Sequence, residues 1–60
     1  RFLDAARNVL PPRAKTTLSN FGKALRALMG ERYPQGKLSK HLTRHPRHFM
    51  IEGMTVTRLK

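Results

Sequence analysis

The residues with the plainest chemical potential lie between Lys37 and Lys60, a stretch holding six Lys or Arg, three His and one acid, Glu52. Lysine and arginine neutralise phosphates and release condensed counterions, so a cluster of them binds a polyanion without reading any base. Lys37, Lys40, Arg44, Arg47, Arg58 and Lys60 are the candidates for that work, with His41 and His48 extending the polar surface. Arg44 and Arg47 have the forked geometry for bidentate contacts to phosphate or to a guanine edge. Lys15, Lys23 and Arg26 form a rim to this cluster, and Tyr33, beside Pro34 in a turn, is the aromatic suited to stack on a base. Phe49 is better assigned to the core.

The spacing His41-x-x-x-His45-x-x-His48 invites a metal reading, but no Glu completes a H-E-x-x-H pattern and the chain has no Cys. Cationic neighbours disfavour a metal further, so neither metal nor cofactor is expected. The histidines are the groups that titrate near neutrality. Catalysis finds no support either. Asp4, Glu31 and Glu52 fall in three different segments, and no Ser has a plausible base and orienter. The domain is expected to bind, not to catalyse.

Sixty residues amount to one small domain, and a chain opening on Arg1 reads as a piece of a longer protein. A domain this size buries only about 60% of its unfolded surface, so nearly every apolar side chain is needed inside. Without cysteine there are no disulfides to help, and an intracellular setting is expected, cytoplasm ahead of nucleus. The apolar runs are too short for a transmembrane helix. Thirteen Lys and Arg against three acids give a net charge of +10. The resulting self-repulsion is relieved by a polyanion. Nucleic acid is the first candidate partner, an acidic protein surface the second and an anionic membrane the third; no membrane partner is expected. A monomer is expected.

The elements that must hold these residues follow from periodicity. Phe2, Leu3, Ala6, Val9 and Leu10 share one side of a first helix, with Asp4 in its first turn, and Pro11-Pro12 ends it. Thr16-Thr17-Leu18 is β-prone, and Ser19 is the expected N-cap of a second helix, with Thr17 as its competitor. That helix runs from Asn20 to Met29, with Phe21, Ala24, Leu25 and Leu28 as its buried stripe and Gly30 as terminator. Gly22 weakens it by about 1 kcal/mol relative to Ala, which suggests close packing. Glu31 to Gly36 is a loop. A third helix from Lys37 to His45 sets Leu38, Leu42 and His45 on one side and Lys37, Lys40 and Arg44 on another. Two β-rich runs around Glu52-Gly53 then form a hairpin, with Phe49, Ile51 and Val56 facing inward and Leu59 a further candidate for that face. Helix, short strand, helix, helix, hairpin is the order of an α+β winged helix-turn-helix, with three helices and a C-terminal wing. Its expected core is Phe2, Leu3, Ala6, Leu10, Leu18, Phe21, Leu25, Leu28, Leu38, Leu42, Phe49, Ile51 and Val56. Arg1 and Arg7, on the first helix, should be remote from the binding face.

Leu18-Ser19-Asn20-Phe21-Gly22-Lys23-Ala24-Leu25 resembles the opening of the second helix of LOTUS domains, also called OST-HTH. Lys37-Leu38-Ser39-Lys40-His41-Leu42 and His45-Pro46-Arg47-His48-Phe49-Met50-Ile51 resemble that family's third helix and wing, with Gly53 and Val56 at the wing turn and return strand. The likeness covers about Leu18 to Leu59. A related pattern occurs in Egalitarian-like exonuclease-domain proteins. The chain departs from the family in its short loop before the third helix, where many members carry a longer segment. The resemblance implies two partners. Extended members with an added C-terminal helix bind a Vasa-type DEAD-box helicase, whereas minimal members associate with RNA, including G-rich RNA. No such helix follows Leu59 here, which by this analogy favours the RNA-binding form. The expectation is therefore structured or G-rich RNA, ahead of duplex DNA, bound by the third helix and the wing as part of a ribonucleoprotein. The alternatives are docking of a helicase or other acidic protein, and a structural spacer in a larger ribonucleoprotein.

Overall fold

The structure is a computed structural model that describes residues 2–60; Arg1 lies outside the described residues. Three α-helices, α1 (Phe2–Val9), α2 (Leu18–Met29) and α3 (Leu38–Thr43), combine with strands β1 (Lys15–Thr17), β2 (Phe49–Glu52) and β3 (Thr55–Arg58). The strands form one antiparallel sheet in the order β1-β3-β2. The chain is thus α+β, with its short first strand recruited to the far side of the C-terminal hairpin.

Local chemistry accounts for the element ends. The N-cap of α2 is Thr17, not Ser19: its hydroxyl accepts the Asn20 amide at 3.1 Å. Thr17 wins because it ends β1 in extended geometry, which leaves Leu18 as the first helical residue. Gly30 closes α2 with φ 57°, donating its amide to the Arg26 carbonyl, as a C-terminal glycine should. A single 3₁₀ turn, Gly30–Arg32, leads into the loop before α3. That helix is shorter than its sequence pattern, since Arg44 is already its C-cap and His45 lies beyond. At the hairpin, Gly53 takes φ 59° at the first of two turn positions, the place where a type II′ turn requires glycine.

Sheet register decides which residues face the helices. Thr16, Val56 and Ile51 are cross-strand partners, and Phe49 pairs with Arg58 on the same face. The opposite face carries Lys15, Thr17, Thr55, Thr57, Met50 and Glu52. Phe21, Leu25, Leu42 and Val56 are fully buried, joined by Ala5, Ala6, Leu10 and Phe49. Phe2, Leu3, Leu18, Leu38 and Ile51 pack around them, so the expected core is recovered with one loss. Leu28 is 55% exposed. It borders a shallow depression lined by Asp4, Ala5 and Asn8 of α1, with Met29 and Arg32 beside it.

Candidate nucleic-acid interface

Helix α3 is held from below by its leucines: Leu42 is fully buried and Leu38 half-buried. Helical periodicity then places Lys37, Lys40 and Arg44 outward, and all three are exposed. A short reversal follows, in which the His45 carbonyl accepts the amides of His48 and Phe49. It brings Arg47, also exposed, into one shallow hollow with Arg44 and the edge of His48. At the other end of α3, Lys37 shares a groove of about 570 Å³ with Lys23, Arg26 and Tyr33. The exposed cations therefore form a track along α3, from the α2 side at Lys23 and Arg26 to the turn at Arg47. In this groove the Arg26 guanidinium lies over the Tyr33 ring, 5.2 Å from its centroid.

The hairpin contributes much less than expected. Within β2 and β3 the charged residues are Glu52, which is exposed, and Arg58, which is 7% exposed. As a cation on the return strand of the hairpin, Arg58 is expected on the binding face; the structure turns it inward. Its Nη1 donates to the carbonyls of Arg7 and Leu10, each at 2.9 Å, and its Nε donates to the Lys60 carbonyl. The guanidinium thus caps the C-terminal end of α1, where carbonyls lack intrahelical donors and favour a cation. Its Nε and Nη1 are thus committed to the protein, and the side chain is nearly out of solvent. Lys60 and Lys15 are exposed, the latter on the outer face of β1.

The histidines are largely packing groups. His41 donates Nε2–H to the Gln35 carbonyl at 2.6 Å, tying α3 to the preceding loop. Its ring, and that of His45, lie against Phe2 of α1, with centroids 5.6 and 6.4 Å away. His48 meets His45 edge-on at 6.4 Å. Its Nδ1 is shielded from water and has no hydrogen-bond partner. His41 and His48 were expected to extend the polar surface; both are half-buried. Among the described residues, no group of three or more His, Asp or Glu side chains is placed to hold a metal ion. No helix among them is long and apolar enough to cross a membrane.

Burial holds the His48 pKa below the ordinary imidazole value, and the positive charges of Arg7, His45, Lys60 and Arg58 push the same way. The folded domain therefore prefers neutral His48, while the unfolded chain takes up a proton near its ordinary pKa of about 6.5. The contribution is fully present above that value and declines as pH falls through it. The melting temperature should drop between pH 7.5 and 5, and less steeply in His48→Gln. Parallel pH profiles for the two proteins would remove His48 from the account.

Comparison of the chain with family models, curated proteins and solved structures finds no match. The site must stand on its own chemistry.

Gly22, expected to allow close packing, is buried at the base of the groove beside α3. A Cβ built there would lie 3.7 Å from Leu38 Cδ2 and 3.9 Å from the Tyr33 hydroxyl, which is ordinary van der Waals contact. The approach of α2 to α3 does not demand glycine. Its absent side chain instead leaves open the floor of the groove between Lys23, Arg26, Tyr33 and Lys37.

Proposed function

We propose that this domain is a winged helix of the LOTUS type that binds RNA along α3. The observation that carries the reading is the run of exposed cations Lys37, Lys40, Arg44 and Arg47 along α3, its two caps and the turn that follows, over a helix anchored by buried Leu42 and half-buried Leu38. Three helices with an antiparallel β1-β3-β2 sheet support the winged-helix reading. Such a helix offers phosphate ligands at helical spacing, and the net charge of +10 supplies a long-range attraction to a polyanion. The wing presents Glu52, Met50 and Met54 in place of cations, so the phosphate path follows α3 and its flanking grooves. A duplex reader that clamps the backbone with a basic wing fits this surface less well. Single-stranded or irregularly folded RNA fits it better.

Titration against RNA oligonucleotides tests this. Lys40→Ala combined with Arg44→Ala should weaken binding at least tenfold, about 1.4 kcal/mol. The melting temperature should hardly move, because both side chains are exposed. Removing the same charge at Arg7 and Arg32, exposed on other elements, should cost only a small screened effect. Equal losses from both pairs would mean that net charge alone binds, with no defined site. The apolar residues Leu28, Met50, Met54 and Leu59 are exposed and favour a second reading, a protein-docking module. Binding through them would be insensitive to salt, whereas phosphate contacts weaken steeply as salt rises.

A further inference from the structure

Resting on that RNA-binding reading, we propose that the groove between α2 and the start of α3 accepts one unpaired nucleotide, its base against the Tyr33–Arg26 pair. Three independent observations converge there. The groove, about 570 Å³, is within the usual size range of small-molecule sites. Its lining includes Lys23, Arg26 and Lys37 and no acid, so the charge it complements is negative. Its floor is Gly22, a residue that weakens an α-helix and that packing does not require.

The chemistry of a nucleotide matches these parts. Unpaired bases in RNA stack on aromatic rings and on guanidinium planes, and here the two lie together, with Arg26 over the ring of Tyr33. The flanking phosphates meet Lys23 on one wall and Lys37 on the other, and Lys37 is also the first cation of the α3 track. A strand running along α3 thus arrives at the groove without leaving its phosphate ligands. Stacking accepts any base, so sequence preference at this position is weak. A base held in a duplex cannot enter, which gives the domain a reason to discriminate single from double strands.

Gly22→Ala separates this role from folding. The added methyl meets only ordinary contacts and removes a helix-weakening glycine, so the melting temperature should rise, by about 4–8 °C for a domain this small. It also narrows the groove floor. Affinity for an unstructured single-stranded RNA should fall at least fivefold, while affinity for an RNA duplex of equal length stays unchanged. Tyr33→Leu, which keeps an apolar side chain at a half-buried position, should give the same selective loss. It should also abolish the fluorescence change of a 2-aminopurine placed in the single strand.

If the wild-type domain binds single-stranded RNA and both variants bind it equally well, the groove proposal fails and the α3 reading stands. Absence of any RNA binding by the wild type overturns both. Equal losses on single strand and duplex would assign the groove a general electrostatic role and reject the nucleotide site. Loss of a polyglutamate peptide in Gly22→Ala, with RNA binding intact, would hand the groove to an acidic protein segment.

Discussion

Replacing Arg58 by alanine is expected to lower stability by roughly 2–4 kcal/mol, because two carbonyls at the end of α1 then lose a charged donor. Hydrogen bonds to ionised groups are the stronger kind, and the helix C-terminus adds a favourable dipole term. Against this stands the +10 net charge, which makes a buried cation less welcome and keeps the expected value from being larger. A domain of this length has on the order of 3–9 kcal/mol in total. The loss should therefore appear as a fall in melting temperature of roughly 10–25 °C. Arg58→Lys should recover only part of it, since one ammonium cannot reproduce donors on both Nη1 and Nε. Thermal denaturation of the three proteins decides the matter. A melting temperature unchanged in Arg58→Ala, with RNA binding reduced, would return Arg58 to the nucleic-acid surface.

Arg58 also shows where sequence reasoning stopped short. Strand alternation assigned Val56 to the core, and the same period of two places Arg58 on the same face. The signal was present, but residue type pointed the other way, since a cation is rarely buried without a partner. The partner is backbone, the carbonyls of Arg7 and Leu10, 51 and 48 residues earlier in the chain. Backbone acceptors leave no mark in a sequence. Leu28 failed for the complementary reason. Helical spacing set it in line with Phe21 and Leu25, but α1 lines the depression beside it with only Asp4, Ala5 and Asn8. Periodicity names the face of a helix, not the residues that stand opposite it.

The cationic side of α3 was legible because it needs only one element. With Leu38 and Leu42 inside, 3.6-residue periodicity leaves Lys37, Lys40 and Arg44 outside. The groove beside it was not legible, since Gly22, Arg26 and Tyr33 meet only when α2 and the loop before α3 are folded together. The histidines divide in the same way: their i, i+4 spacing was plain, while the ring they pack on, Phe2, belongs to the other end of the chain. Across the fold, local pattern gave the elements, and long-range contact decided which polar residues remained free to bind.

Phe49→Ala should be among the most damaging single changes. Phe49 is buried in β2 with its ring centroid 5.8 Å from that of Phe21, the fully buried aromatic of α2. Truncation opens a cavity where sheet and helices meet, at a cost of roughly 3–5 kcal/mol. The lost aromatic pair accounts for about 0.5–1.5 kcal/mol of interaction beyond simple burial. Against a total of roughly 3–9 kcal/mol, this removes between a third and all of the stability, and the melting temperature should fall by roughly 12–40 °C. Phe49→Leu restores most of the volume and should remain folded, with a loss of less than about 1.5 kcal/mol if the site repacks. Far-ultraviolet circular dichroism and amide shift dispersion distinguish the two outcomes directly. RNA binding should follow the folded fraction in both variants, because α3 presents its cations only while Leu42 is buried against this core. The Lys40 and Arg44 substitutions should do the reverse, removing binding from a domain that still melts normally. A cooperative melt in Phe49→Ala within a few degrees of the wild type would show that the contact between β2 and α2 is not what holds the domain together.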